Sequence, residues 1–345
     1  MMIVFVLAAG LWGLGHLMGT PMRLRWVMIG VLYLAVLVVH AVLPDDNTLR
    51  VSIGGNLAGW LVFGAIVVLI VGYRRLLGLL RTKARDEDVL KPRSSTFSAS
   101  ELDRYARHII LREIGGPGQK KLRDAKVLVI GAGGLGSPVL LYLAAAGVGT
   151  IGIVDDDVVS LSNLQRQVIH RDNRLDMPKV FSAEATMQEI NPHVELRPYN
   201  RRLTEADAAE LFAEYDLILD GTDNFETRFM VNRMAVAAGT PLIAAAITQW
   251  EGQISLYDPA RDAPCYQCVF PVAPAPHLAP SCAEAGVVGA LPGVVGSMMA
   301  METIKEITGA GQSLRGRMLL YDALYAENRV MNVKRRADCP VCGGV

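Results

Sequence analysis

The sequence lacks an excess of either charge, because 34 lysine and arginine residues balance 34 aspartate and glutamate residues among 345 positions. Without a basic excess, the composition gives no reason to expect a nucleic-acid partner. Acidic residues are scarce at the front of the chain, where residues 1–85 contain eight basic and two acidic side chains. The remainder is therefore net acidic, and the front differs from it in charge.

Cysteine is absent from the first 264 residues, and all five cysteines lie beyond that point. Four of them form two Cys-x-x-Cys pairs, Cys265 with Cys268 and Cys339 with Cys342. In a chain whose bulk resembles a cytosolic protein, such pairs favour a metal over disulfides. The 70 residues between the pairs exceed a compact zinc ribbon, so spacing alone also allows two redox pairs.

Charged side chains are also missing from three apolar runs, Met1 to Met18, Trp26 to Leu43, and Leu57 to Val71. A helix that crosses a membrane needs about 20 mainly apolar residues, so the runs predict three transmembrane helices. A cleaved signal peptide is the alternative for the first run. A retained span is favoured, because no positive charge precedes the run and no small-residue cleavage site follows it.

The arginines predict the orientation of these spans. Arg23 and Arg25 lie between the first two runs and five more basic residues lie within residues 74–85, whereas the middle loop contains Asp45, Asp46 and Arg50. By the positive-inside rule, the chain after residue 73 is cytoplasmic, which predicts a multi-pass protein of the cell (inner) membrane. The runs contain no paired charges, so a transport function has no support. We expect a membrane region at 1–85, a polar linker at 86–97 and a soluble domain at 98–345.

A glycine-rich segment organises the soluble domain. Lys126 to Ile130 is typical of a buried strand, and Gly131, Gly133 and Gly136 follow it in the pattern G-x-G-x-x-G. The helix predicted next directs its N-terminal N–H groups at a bound phosphate. Asp155 ends the following strand, where an acidic residue often holds a ribose hydroxyl. The segment therefore predicts a nucleotide site, although it does not specify a reaction.

Short apolar runs continue to alternate with helical patterns. This alternation predicts an α/β fold, a Rossmann-like, mainly parallel sheet with helices on both faces. Besides Lys126 to Ile130, the predicted strands are Thr150 to Val154, Val194 to Pro198, Leu217 to Leu219, Leu242 to Ala246 and Arg317 to Tyr321. A capping box at Ser98 predicts a helix through Ile110, and Gly115 to Gly118 is expected to end that helical region.

Three further motifs make the pattern specific. They are Ser162-Asn163-Leu164-Gln165-Arg166, Met177-Pro-Lys179 and Asp220-Gly-Thr-Asp223-Asn224. With these motifs, residues 100–345 resemble the HesA/MoeB/ThiF family of ubiquitin-activating-enzyme-like adenylyltransferases. The resemblance implies that the domain binds ATP and adenylates the C-terminal glycine carboxylate of a ubiquitin-like sulfur-carrier protein.

The resemblance also implies roles for individual residues. Gly134 would lie against the nucleotide, Asp155 at the ribose, and Asn163, Arg166 and Lys179 at the triphosphate. Asp223 would hold Mg²⁺ with the phosphates, and Arg107 would reach into the neighbouring subunit's site, which implies a homodimer. The nucleotide-binding residues expected in full are Gly131, Gly133, Gly134, Gly136, Asp155, Ser162, Asn163, Leu164, Gln165, Arg166, Lys179, Asp223 and Asn224. Asp176 departs from the family pattern, which usually has glycine there.

For the cysteines, the family's four-cysteine arrangement implies a structural zinc site at Cys265, Cys268, Cys339 and Cys342. Cys282 is left over. Some ThiF-type relatives use a cysteine here covalently, whereas MoeB-type enzymes do not need it for adenylation, so we expect an inert thiol. No rhodanese-like domain follows the second cysteine pair, so we expect the sulfur donor to be a separate protein.

The segments Cys282 to Gly289 and Met301 to Lys305 are more similar to the MoeB type, the molybdopterin-synthase adenylyltransferases, than to the ThiF type. Molybdenum cofactor biosynthesis is therefore the predicted context, with the small subunit of molybdopterin synthase as the carrier. The alternatives are the same chemistry on the thiamine carrier, a membrane-anchored scaffold without turnover, and an NAD oxidoreductase. A scaffold is expected to have lost Arg166, Lys179 or Asp223, and all three are present.

Overall fold

The computed structural model describes residues 2–89, 96–274 and 285–344. The chain divides into two compact units, residues 1–95 and residues 96–345. Cys282 lies outside the described residues.

The first unit is helical. Its helices are α1 (Met2–Leu17), α2 (Met22–Val42), α3 (Thr48–Ile53) and α4 (Leu57–Val89). Val4, Val36 and Trp60 form a small apolar core, and the Tyr33 hydroxyl donates to the Trp60 carbonyl oxygen at 2.7 Å, which ties α2 to α4. Helix α4 continues through residues 86–89, which we predicted to be linker, because extending a helix costs less than starting one.

One helix in the described part of the chain is long and apolar enough to cross a membrane. Its apolar window is Leu24–Val42, with mean hydropathy 2.0 and 11 % of the window buried. Met2–Leu17 and Leu57–Tyr73 are apolar but shorter. A signal sequence near an N-terminus meets the same criterion. The structure therefore supports a membrane segment through one helix, whereas the sequence predicted three.

The strands described in the second unit form one mixed sheet in the order β3-β2-β1-β4-β5-β6-β7-β8. They are β1 (Lys126–Ile130), β2 (Thr150–Val154), β3 (Glu195–Tyr199), β4 (Leu217–Asp220), β5 (Leu242–Thr248), β6 (Glu251–Tyr257), β7 (Arg317–Asp322) and β8 (Glu327–Asn332). β1 to β5 pair in parallel, whereas β5 to β8 pair antiparallel.

The expectation of a mainly parallel sheet is therefore correct for one half only. β6 and β8 escaped prediction because neither has a clear apolar run. All six residues of β8 are exposed, and the apolar side chains of β6 begin only after Glu251-Gly-Gln, at Ile254.

Helices cover both faces of the parallel half. Side chains alternate along a strand, so Val127 and Val129 lie on one face while Leu128 and Ile130 lie on the other. The helices between and after the strands are α8 (Gly136–Ala146), α9 (Lys179–Ile190), α10 (Glu205–Phe212), α11 (Phe225–Ala238), α12 (Tyr266–Val269) and α13 (Leu291–Thr308). Buried residues of α8, α9 and α13 share the first cluster, and those of α10 and α11 share the second.

Three short helices precede β1: α5 (Ala99–Arg104), α6 (Ala106–Ile110) and α7 (Gly115–Asp124). Ser98 and Glu101 form the expected capping box. The chain bends at Tyr105, so the predicted single helix is two. The segment Gly115 to Gly118 begins α7 where we expected an end. Pro117 is tolerated there because the first turn of a helix does not need its N–H groups for intrahelical bonds.

Candidate active site

The site lies at the carboxyl ends of the parallel strands, where the order of the sheet reverses. The chain runs from β1 to β2 and β3, and then crosses to β4 on the other side of β1. Crevices at such reversals bind ligands in open α/β sheets. A cavity of about 1010 Å³ opens there. It is lined by eight of the predicted site residues: Gly131, Gly133, Gly134, Asp155, Arg166, Lys179, Asp223 and Asn224.

The glycine loop after β1 requires glycine at two positions. Gly131 has a φ of +94°, which side-chain-bearing residues rarely adopt. At Gly136, an added Cβ would lie 1.9 Å from the Gly131 carbonyl oxygen, so α8 begins in direct contact with the loop. Gly136 therefore packs against the Gly131 carbonyl group and does not line the cavity. The loop exposes Gly133 and Gly134 to the cavity.

Asp155 joins the end of β2 to this loop. Its carboxylate accepts from the Ala132 N–H at 2.8 Å and from the Asp157 N–H at 2.9 Å. Burial raises the pKa of the Asp155 carboxyl, and the nearby Lys179 ammonium opposes that rise. Because each carboxylate oxygen has two lone pairs, both can still accept from ligand hydroxyls.

Lys179 begins α9 with its side chain almost fully buried. Its ammonium donates to Asp157 Oδ2 at 2.7 Å. Asp176, three residues before Lys179, has a φ of +64°. Aspartate tolerates this left-handed conformation, which otherwise favours glycine. Asp176 therefore keeps a backbone conformation typical of glycine ahead of Lys179, although it replaces the glycine that is usual in the family.

Arg166 is oriented by its own loop. Its guanidinium donates to Asn163 Oδ1 at 2.8 Å and to the Ser162 carbonyl oxygen at 3.3 Å. Asn163 and Ser162 therefore position the arginine and do not line the cavity. Leu164 and Gln165 do not line it either. Gln165 packs against Gly289, where an added Cβ would lie 2.3 Å from its Oε1.

Asp223 and Asn224 follow β4. The Asp223 side chain is exposed, whereas Asn224 caps α11 by accepting from the Thr227 N–H at 2.8 Å. The loop before them is fixed by Asp220, which is buried and accepts from the Thr222 N–H and hydroxyl at 2.9 and 2.7 Å. An exposed carboxylate on a fixed loop suits a metal ion that arrives with a phosphate.

Of the two predicted residues that remain, the structure describes only Arg107. Arg107 is exposed on α6 and does not line the cavity of its own chain. Cys282 belongs to the residues that the structure does not describe.

Sequence reasoning missed several side chains at the cavity. Arg228 is buried and lines it, donating to the carbonyl oxygens of Thr222 and Ala245. An arginine inside a helical pattern usually indicates a solvated face, so no local signal marked it. The antiparallel strands add Gln253, Asp322 and Arg329. Gln253 and Arg329 lie on β6 and β8, which were not predicted, and Asp322 lies one residue beyond the predicted end of β7.

The four paired cysteines come together as a closed cluster. All four are buried. Cys265 Sγ lies 3.9 Å from Cys268 Sγ and 3.6 Å from Cys339 Sγ, and Cys268 Sγ lies 3.3 Å from Cys342 Sγ. A tetrahedral zinc with Zn–S bonds of about 2.3 Å places sulfurs about 3.8 Å apart. The cluster is far too open for disulfides, whose S–S bond is about 2.05 Å.

The surroundings of the cluster act differently on its thiols, because burial raises the pKa of Cys265 and Cys342. The Arg336 N–H donates to Cys268 Sγ at 3.4 Å. Burial alone would raise the pKa of Cys339, but the backbone N–H groups of Cys342 and Val341 outweigh it and lower that pKa to about 7. The donor set, the spacing and these N–H groups fit a structural zinc ion.

Known proteins resemble this chain over most of its length. The ThiF family model matches residues 105–341. A sulfur carrier protein adenylyltransferase of Thermus thermophilus is 48 % identical over 251 residues, which are 72 % of this chain and 93 % of that protein. The probable adenylyltransferase/sulfurtransferase MoeZ of Mycobacterium tuberculosis is 50 % identical over 252 residues, 72 % of this chain. The chain covers 64 % of the length of MoeZ.

Among solved structures, E. coli MccB with MccA-N7isoASN superposes with a TM-score of 0.62 at 22 % identity. The match covers 73 % of this chain and 77 % of that one, and it shows a shared fold. The family match spans most of the chain, and the Thermus relative is covered almost in full. The chain belongs to the ThiF family.

Proposed function

We propose that this protein uses ATP to adenylate the C-terminal glycine carboxylate of a ubiquitin-like sulfur-carrier protein. Family membership and the name of the Thermus relative support this activity. The observation that carries it is the single cavity that gathers the glycine loop, Arg166, Lys179 and Asp223 at the reversal point of the sheet.

ATP fits this cavity in one orientation. Asp155, with lone pairs facing outward from its two backbone bonds, accepts from the ribose hydroxyls. Gly134 allows the nucleotide to approach the loop closely. The triphosphate then extends towards Arg166, a planar cation held by Asn163, and towards the Lys179 ammonium.

The reaction is a transfer at the α-phosphorus. A carboxylate oxygen of the carrier forms a bond to that phosphorus, the bond to the β-phosphate oxygen breaks, and pyrophosphate leaves. Arg166 and Lys179 stabilise the negative charge that develops on the phosphate oxygens, so catalysis is mainly positioning and electrostatics. Asp223 would hold Mg²⁺, which supplies charge neutralisation at the phosphates when bound.

The cavity also has room for the carrier's tail. Small-molecule sites are usually about 300–1,000 Å³, and this one is about 1010 Å³. The side formed by Gln253, Asp322 and Arg329 lies on the antiparallel strands, away from the glycine loop in the order of the sheet. An extended tail entering along these strands would bring its carboxylate to the nucleotide.

We further propose a homodimer in which Arg107 completes the site of the neighbouring subunit. Its exposure on α6, outside its own cavity, supports this role. The four cysteines would hold zinc as a structural ion, which would fasten the C-terminal segment to α12.

For the first unit we propose membrane anchoring through α1, α2 and the apolar part of α4, with the second unit cytoplasmic. Large apolar side chains such as Leu34, Val38 and Leu69 are exposed along these helices. Trp12 and Trp26 pack edge to face at 5.1 Å beside Arg25. Tryptophan and arginine together are typical of a cytoplasmic membrane interface. The sulfur donor would be a separate protein.

The carrier we propose is the small subunit of molybdopterin synthase, in molybdenum cofactor biosynthesis. The test is ATP–pyrophosphate exchange by the full chain with a panel of purified carriers. Exchange that depends on the molybdopterin carrier is the expected result. Exchange with the thiamine carrier alone would move the assignment to the ThiF type, and nucleotide binding without exchange on any carrier would favour a scaffold.

A further inference from the structure

A buried histidine lies directly beneath the glycine loop. His170 is 4 % exposed. Its Nε2 is 2.9 Å from the Ala132 carbonyl oxygen, and its Nδ1 is 3.0 Å from the Ser182 hydroxyl. One imidazole therefore joins the loop after β1 to helix α9.

The hydrogen-bond partners fix the tautomer of this ring. A carbonyl oxygen only accepts, so His170 Nε2 carries the proton and donates to Ala132. Nδ1 then accepts from the Ser182 hydroxyl. The ring is neutral: burial and the positive charges of Lys179, Arg174 and Arg171 together lower the pKa of His170 to about 4, although the hydrogen bond to Ala132 opposes this shift.

Ala132 is held from both sides by these contacts. Its N–H donates to Asp155 at 2.8 Å, and its carbonyl oxygen accepts from His170. The two peptide groups that flank Ala132 are thereby fixed, and they connect Gly131 to Gly133. Ser182 lies three residues after Lys179, on the same face of α9.

We propose that His170 is a positioning residue for ATP binding. Its Nε2 holds the Ala132 carbonyl oxygen, and this contact fixes the distance between the glycine loop and Lys179. The inference rests on the proposed function, because it assumes that ATP occupies this cavity. His170 itself contacts the loop and does not line the cavity.

The test compares three variants of the full chain in detergent by their dissociation constants for ATP with Mg²⁺, measured calorimetrically. A glutamine amide reaches about as far as imidazole Nε2, so His170→Gln retains a donor for Ala132. An asparagine amide reaches only about as far as Nδ1, so His170→Asn retains the contact to Ser182 alone. His170→Ala removes both. Leu211→Ala, at a buried core position on α10, controls for a general loss of stability.

We expect the dissociation constant for ATP to rise about tenfold in His170→Asn and His170→Ala, the loss of roughly one well-placed hydrogen bond. His170→Gln should stay within about threefold of wild type, as should Leu211→Ala. Equal impairment of the glutamine and asparagine variants would overturn the proposal, and so would wild-type affinity in all three. If His170→Ala fails to fold, the two amide variants decide the matter alone, since both carry neutral side chains.

Failure of the proposed function would look different. Wild-type protein that binds ATP but exchanges pyrophosphate with no carrier would contradict the adenylation activity, while the ranking of the His170 variants would still decide the positioning role. Wild-type protein that binds no ATP would overturn both.

Discussion

Lys179 and Asp157 form an ion pair in which one partner is buried and the other exposed. The distance from Nζ to Oδ2 is 2.7 Å, and the side chains are 5 % and 68 % exposed, respectively. A second bond, from the Lys179 N–H to the Asp157 carbonyl oxygen at 2.9 Å, joins the same residues. The ammonium that we assign to the triphosphate is thus held in place by a residue that the sequence did not mark.

Substitution Asp157→Asn should therefore weaken ATP binding and lower stability. Lys179 would keep its charge in a nearly buried position but would lose the Asp157 carboxylate that balances it. Because Asp157 is largely exposed, we expect a loss of only about 1 kcal/mol in the free energy of unfolding. KM for ATP should rise several-fold in pyrophosphate exchange. Asp156→Asn, at the exposed neighbouring position, is the matched control, and equal effects of both variants would contradict a specific pairing.

Substitution Asp223→Asn should nearly abolish carrier-dependent pyrophosphate exchange and leave the fold intact. The exposed carboxylate contributes little to packing, but its charge is needed to hold Mg²⁺. Circular dichroism and the melting temperature check the fold, and the exchange rate checks the activity. Glu226→Gln, exposed on the first turn of α11, is the control. Exchange at the wild-type rate in Asp223→Asn would remove the metal-binding role.

The cysteine cluster should contain about one zinc per chain, measured by elemental analysis of the purified protein. Substitution Cys339→Ala should lower the metal content and the melting temperature, because binding of a structural metal is coupled to folding. Cys282→Ala should keep both the metal and adenylation. Metal-free protein with disulfides in both pairs would contradict the zinc assignment. A thiol-sensitive carrier adduct that Cys282→Ala cannot form would show covalent catalysis.

Stability should fall as the pH drops below about 6.5, in part because of His170. Burial lowers the pKa of this ring from about 6.5, the ordinary value of histidine, to about 4 in the folded chain. A depressed pKa means that the unfolded chain takes up the proton first, so this stabilisation is complete above pH 6.5 and is lost towards pH 4. With allowance for solvent screening, we expect about 1 kcal/mol between pH 7.5 and 5. Urea unfolding of wild type and His170→Gln at both pH values measures this change. The same change in the free energy of unfolding between the two pH values in both proteins would contradict the prediction.

Mixing two inactive variants should restore activity if Arg107 acts across the dimer. Chains with Arg107→Ala and chains with Asp223→Asn are each expected to be inactive. In a mixed dimer, one site combines an intact Asp223 with Arg107 of the neighbouring subunit. Exchange activity should return after the chains are co-expressed. Activity that stays at the level of the separate variants would argue that Arg107 acts within its own chain or not at all.

Residues in apolar runs and glycine patterns were predictable from the sequence. The run Lys126 to Ile130 is β1, and Gly131, Gly133 and Gly134 after it line the cavity. Such patterns are predictive because burial on both faces and a close backbone approach restrict the residue types at each position. The clustering of the paired cysteines was predictable too, because two Cys-x-x-Cys pairs offer the four sulfur ligands that a closed zinc site can use.

The rest depends on tertiary contacts. β8 has six exposed residues, so only its pairing with β7 makes it a strand. Arg228 and His170 are buried polar residues whose partners lie on distant segments, and a local pattern does not show such partners. Gly115 to Gly118 reads as a breaker, yet packing of Gly118 against Ile114 and Thr308 accommodates it in a helix.

We expect the carboxylate of a carrier's last glycine to become adenylated at this cavity. The most direct measurement is mass spectrometry of a purified carrier after incubation with the full chain, ATP and Mg²⁺. We expect the carrier to gain one adenylyl group at its C-terminus, and a carrier with an amidated C-terminus to gain none. An unmodified carrier in the presence of a chain that binds ATP would contradict this expectation.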